Sequence, residues 1–306
     1  MKLSRDAVQK ARDYLFQHGR SLEQALWRLF FENGSLEEVC NEACAFQNPD
    51  GGYGHGIEPD LRTPDSSAIA TSQALKFLRL AGAPPNHRAV ANAVSYLLHT
   101  LDKDQVVWEI APATVSDSPH AFWWAYDGLA ERFGNYRMNP TVALVGHLVH
   151  YSSTIDAAPL SNLLDTCKER VAELSAKDGF YDLLCYVDLI SAHGLSPDDR
   201  AILIERVSQV VTDAVEQDPS KWGGHVLPPL AAITTADSPL RSCVPHEVVD
   251  QNLDFEIAAQ QEDGSWAIPW TWEAADPAAW RRAEQDWKGI FIVQKVRQLA
   301  SFGRLS

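Results

Sequence analysis

Apolar residues recur at helical spacing along almost the whole 306-residue chain, and runs that alternate apolar with polar, as a half-buried strand requires, are absent. That pattern predicts an all-α fold. Three opening helices are expected over Ser4–Gln17, Ser21–Glu32 and Ser35–Gln47. Nine more follow, at Ser66–Ala81, His87–Thr100, Pro119–Phe133, Asn139–Tyr151, Pro159–Ser175, Tyr181–Ala192, Pro197–Glu216, Glu247–Gln260 and Pro277–Phe302. Pro and Gly gather between these segments, where they end helices and permit tight turns. No Gly-, Ser- or Pro-rich linker is long enough to separate a second domain from the first, so residues 1–306 read as one domain.

The connectors repeat. One helix runs out into Gln47-Asn48-Pro49-Asp50-Gly51-Gly52-Tyr53-Gly54, and a late one into Gln260-Gln261-Glu262-Asp263-Gly264-Ser265-Trp266. Weaker copies lie between: Leu101 to Asp104 leading to Trp108, Lys177 to Tyr181, and Gln217 to Gly224 through Trp222. Their separations of roughly 40 to 75 residues leave room for two helices and two loops per unit. In each unit the Gln side chain can bond free backbone groups at the helix end. The Asp-Gly pair then reverses the chain, and the aromatic ring packs under the next helix.

The pattern Gln-x-x-Asp-Gly-aromatic resembles the QW repeat of terpenoid cyclases and protein prenyltransferase β-subunits, a superfamily of α/α toroids. Its flanks agree: Thr63 to Ser67 and Ala70 to Leu75 resemble the inner helix that follows such a repeat, and Ala93 to Leu98 the return helix. The resemblance covers most of Phe46–Trp108 well and Glu256–Leu299 fairly, with a degenerate middle. It implies an α/α toroid, a two-layer helical barrel of five to six helix pairs. It also implies that the loop after each turn opens on the mouth of a central cavity. Five loops are then of interest: His55–Asp65, Trp108–Trp124, Tyr181–Cys185, Trp222–Pro229 and Trp266–Asp286.

The first of them concentrates His55, Glu58, Asp60, Arg62 and Asp65 between prolines and glycines. A carboxylic acid there can protonate an alkene or a glycosidic oxygen while a neighbouring carboxylate stabilises the cation. Catalytic roles are therefore expected for Asp60, Glu58, His55 and, from the second loop, His120, with Arg62 in substrate binding. The competing structural reading has Asp65 capping the inner helix, Arg62 paired with Asp60 and Glu58 solvated. In the second loop the expected helix puts His120, Trp123 and Trp124 on one face, although adjacent indoles cannot both point inward. The last loop offers Trp270 and Trp272. Trp108 and His225, which belong to the second and fourth turns, complete the candidate substrate-binding set. Each ring has core packing as its alternative.

Other features narrow the field. A formal net charge of -15 repels phosphate and argues against nucleic acid and anionic membrane surfaces. No stretch approaches the ~20 apolar residues of a membrane span. The charged, amphipathic Met1–Phe16 lacks a signal-peptide core, so a cytoplasmic protein with a small-molecule substrate is expected. Five scattered cysteines form no disulfide framework.

The resemblance is incomplete. The Asp-x-Asp-Asp acid motif of class II cyclases and the DDxxD diphosphate motif of class I synthases are missing. Asp182-Leu183-Leu184-Cys185 is one residue longer than the zinc-binding Asp-x-Cys of the prenyltransferases, whose distant ligand would have to be His225 or His246. Apolar neighbours favour packing there, and neither metal nor cofactor is expected. The functional expectation is acid-initiated, metal-independent chemistry on an isoprenoid-like substrate in an aromatic cavity. A carbohydrate-active enzyme and a non-catalytic binding or scaffold toroid are the alternatives.

Overall fold

The computed structural model describes residues 1–306, the side chain of Asp178 excepted. Among the described residues the chain is all-helical, with thirteen α-helices and no strand, only isolated bridges. They are α1 (Arg5–His18), α2 (Ser21–Phe31), α3 (Leu36–Cys44), α4 (Ala68–Ala81), α5 (Arg88–Thr100), α6 (Leu129–Arg132), α7 (Thr141–His150), α8 (Ala157–Arg170), α9 (Tyr181–Ile190), α10 (Pro197–Ala214), α11 (Pro229–Ala232), α12 (His246–Ala258) and α13 (Pro277–Ser301). Local chemistry sets several starts. The Ser4 and Ser67 hydroxyls accept from the Ala7 and Ala70 N–H groups, and Asp276 caps α13 through Ala278 and Ala279.

One expected helix does not form. In place of Pro119–Phe133 the chain makes a 3₁₀ turn at Phe122–Trp124 and the single turn α6. Residues 119–121 are extended instead, because Arg62 N–H donates to Pro119 O at 3.0 Å and Ala121 N–H to Asp60 O at 2.9 Å. Gly128, at φ 71°, then turns the chain into α6. His120, Trp123 and Trp124 therefore do not share a helical face.

The chain packs as two compact units, Met1–Glu38 with Val211–Ser306, and Val39–Val210; the boundaries fall inside α3 and α10. In the second unit α7 packs against α4, α8 and α9, and α4 against α5. A Cβ on Gly146 would lie 2.9 Å from Leu189 Cα, so the crossing of α7 with α9 needs a glycine. In the first unit α13 packs against α1 and α2, and α11 against α12. There the chain ends meet: Leu3 N–H donates to Arg304 O at 2.8 Å, and Ser306 N–H to Leu3 O at 3.1 Å.

Burial alternates along the sequence. Helices α7 and α11 expose no residue, and α2, α4 and α9 expose one each, Ser21, Lys76 and Tyr181. Between Ala283 and Leu299 of α13 none is exposed. Helices α1, α3, α5, α8, α10 and α12, each of which precedes one of these in chain order, carry exposed positions on an outward stripe. A helix without a solvated stripe is surrounded, and one with a stripe is a surface helix.

The two best turns are built alike. Gln47 Nε2 donates to Gly51 O and Ala89 O, both at 3.0 Å; Gln260 Nε2 donates to Gly264 O at 3.0 Å and Ala7 O at 2.9 Å. The second acceptor is thus the first turn of a different helix, α5 or α1, rather than the end of the Gln's own. Asp50 Oδ1 and Asp263 Oδ1 each accept the N–H two residues on at 2.9 Å. Gly51 and Gly264 have φ 91° and 92°. A Cβ on either would stand 2.4 Å from a carbonyl oxygen, of Asn92 or Lys10, three residues beyond the Gln acceptor in both cases. The rings are anchored as well: Trp266 and Trp108 donate to Glu256 O (2.8 Å) and Leu97 O (2.7 Å), and Trp222 to Glu216 O (2.7 Å).

Two histidines on α7, His147 buried and His150 half-buried, make a pH prediction. Burial, reinforced by Arg79, holds His147 well below its ordinary pKa and lowers His150 to about 4. The unfolded chain therefore takes up protons near the ordinary histidine pKa of about 6.5 that the folded chain refuses. Stability should be full above that pH and decline as pH falls toward about 4. Urea midpoints compared at about pH 7.5 and 5 check this, and a His150→Gln variant should show a shallower decline. Equal wild-type midpoints would remove the effect.

Candidate active site

The loop after the first turn is tightly specified. Gly54 N–H donates to Phe46 O at 3.0 Å, and His55 N–H to Thr63 O at 2.8 Å. A Cβ on Gly54 would meet Asp65 O at 2.3 Å. Asn48 Nδ2 donates to Pro64 O at 2.9 Å, and His55 Nε2 pairs with Asn48 Oδ1 at 2.9 Å. Asn48 thereby ties the turn to both ends of the loop.

Between those ties the chain folds inward. Glu58 is 6% exposed and Asp60 2%, which overturns the solvated reading of Glu58. Ser67, not Asp65, caps the following helix. Asp60 N–H approaches Glu58 Oε1 at 3.4 Å, and Leu61 N–H donates to Glu58 O at 3.0 Å. The Arg62 guanidinium donates to Pro59 O at 3.3 Å and passes 3.1 Å from where a Gly56 side chain would begin.

The second loop is clamped onto the first by the antiparallel bridge of Leu61 with His120. His120 is half-buried, and its Nδ1 lies 2.7 Å from Ser118 O. A carbonyl only accepts, so Nδ1 carries the hydrogen. A third segment arrives with Tyr181, the first residue of α9. The residue is 54% exposed, yet partial burial and then the Asp60 carboxylate raise its pKa. Asp60, the His120 segment and Tyr181 thus come together within one unit.

Of the remaining candidates, some serve packing and others belong to the other unit. His55 is exposed at the loop's outer edge. Trp108 is fully buried in its own turn, and Trp124 is buried and stacked on Phe133 at 5.3 Å. Trp123 meets the exposed Phe122 edge to face at 4.8 Å. In the other unit His225 is exposed, and Trp272 is buried against Trp280 at 5.8 Å. Trp270 is half-buried, edge-on to Trp287 at 5.2 Å and Phe291 at 5.9 Å, two rings of α13 that helical periodicity alone did not single out. Tyr181 was visible only as the aromatic of a weak turn. Among the described residues no group of three His, Cys, Asp or Glu side chains is placed to hold a metal, and Cys185 is buried with its thiol pKa raised.

No protein-family model and no curated protein sequence matches this chain, which leaves the local geometry as the guide to its chemistry.

Proposed function

We propose that the chain is a cytoplasmic enzyme on an α/α toroid of five to six helix pairs, and that it performs metal-independent, acid-initiated chemistry on a neutral isoprenoid-like molecule. The toroid reading is supported by the alternation of surrounded and surface helices and by two turns docked in the same register. The chemistry rests on one observation above the rest: two carboxyl groups, Glu58 and Asp60, are buried in a loop pinned by residues 119–121 and faced by Tyr181.

In this reading Asp60 delivers the proton, and Glu58 stabilises the cation that results. His120 has its Nδ1–H engaged by Ser118 O, so its Nε2 is the atom available to accept a proton at the end of the reaction. Conversion tested by mass spectrometry against prenyl and glycan libraries decides the class. Conversion of a neutral prenyl compound, unaffected by a chelator, is expected. Conversion of glycans alone would give the site to carbohydrate chemistry, and loss of activity with the chelator would defeat the metal-independent mechanism.

A further inference from the structure

The second post-turn loop is longer than the first. Tyr53 N–H reaches Thr71 Oγ1 18 residues on, whereas the equivalent bond from Trp108 N–H reaches Thr141 Oγ1 33 residues on. The extra chain carries α6 and walls a groove of about 710 Å³ against the end of α5 and the second turn. We propose that this groove, separate from the Asp60 site, binds an aliphatic diamine or polyamine.

The charged side chains lining the groove, Asp102, Glu109 and Glu131, are all acidic. Asp102 is engaged by its own turn, accepting from the Asp104 and Gln105 N–H groups at 2.9 and 3.0 Å. Glu109 accepts from the Tyr126 hydroxyl at 2.9 Å and keeps its other oxygen for a ligand. Among the described residues the Glu131 carboxylate has no ion-pair or hydrogen-bond partner.

Tyr136 supplies the independent observation. It lines the groove, is 8% exposed, and its hydroxyl has no protein partner among the described residues. A phenol oxygen in that position accepts from an ammonium N–H, and the two tyrosine faces attract cations. Arg132 is a competing cation near Tyr136, but its guanidinium is held by the carbonyls of Trp123, Ala125 and Asp127.

The backbone is bent to make this wall. Gly134, Asn135 and Tyr136 follow one another at φ 54°, 52° and 62°, and Val106 on the opposite rim has φ 56°. Buried Arg170 joins the two rims, donating to Gln105 O (2.9 Å), Val106 O (3.0 Å) and Arg137 O (2.8 Å). The carboxylates do not gather into a three-ligand metal set. Spaced acidic groups over apolar Leu101, Val107 and Leu129 suit ammonium groups separated by methylenes.

Isothermal titration of the full chain with putrescine and spermidine tests the proposal, with 1,4-butanediol as the neutral probe. Saturable 1:1 binding of an amine and none of the diol is expected. Tyr136→Phe should weaken it about tenfold, the scale of one hydrogen bond to a charged group, with an unchanged melting temperature. Glu131→Gln should weaken it more than Glu247→Gln, a change of equal charge on α12. No saturable binding of either amine would overturn the site. So would wild-type affinity in Tyr136→Phe together with equal losses in the two Glu→Gln variants, which would leave only general attraction to an acidic protein.

Discussion

Replacing Asp60 by Asn should lower turnover by about a hundredfold or more while leaving the fold intact. The amide keeps the size of the carboxyl group and can still hydrogen-bond, but it cannot titrate. The main-chain bond that holds the loop, from Ala121 N–H to Asp60 O, does not involve the side chain. A hundredfold loss corresponds to about 2.7 kcal/mol of transition-state stabilisation, the range expected for a positioned general acid. Glu58→Gln should reduce turnover less, because it removes a stabilising charge and not the proton. Both substitutions are read against circular dichroism and melting temperature. Full activity in both variants, each folded, would take the chemistry away from this loop.

The second large effect falls on the turns. Gly51→Ala and Gly264→Ala should each destabilise the protein by about 3–5 kcal/mol, and by similar amounts, since both combine a left-handed φ with a backbone clash. The new methyl group would lie 2.4 Å from the carbonyl oxygen of Asn92 or Lys10, and that carbonyl belongs to a helix that cannot shift alone. Gly82→Ala is the comparison. Its φ of 78° is similar but nothing lies within 4 Å of the added carbon, so only the conformational penalty of about 1 kcal/mol remains. Urea unfolding of the three variants separates the terms. If Gly82→Ala were as damaging as the other two, docking of the turn onto the neighbouring helix would not be what the glycines serve.

How far these features were legible in the sequence depends on how local they are. The helix start at Ser4 and the Gln-Asp-Gly turns are short-range, and both were readable from spacing and residue chemistry, whereas the cap of α4 is Ser67 and not Asp65. The failed helix at Pro119–Phe133 has a long-range cause. Its apolar spacing is helical, but pairing with residues 60–62 holds 119–121 extended, and no window on the sequence contains both sides of that bridge. The acidic loop could be recognised from Glu58 and Asp60 among prolines, whereas Tyr181 joins it only through the fold. Composition counted ten tryptophans but not their directions. Trp108, Trp222 and Trp266 turn into their own connectors because each indole N–H finds a main-chain carbonyl there, on a helix for Trp108 and Trp266 and just past the end of α10 for Trp222. Positive φ at Val106 and Tyr136 carries no sequence signal, so the acidic groove was not legible.

Running the reaction in D₂O tests proton-initiated chemistry most directly. If Asp60, exchanged with solvent, protonates a carbon–carbon double bond, a converted prenyl compound acquires a non-exchangeable deuteron at carbon, retained after transfer to H₂O and seen as a mass increase in the product. That label should form at the wild-type rate with a chelator present and about a hundredfold more slowly in Asp60→Asn. Product that forms without carbon-bound deuterium, or that forms equally fast in Asp60→Asn, would contradict the account.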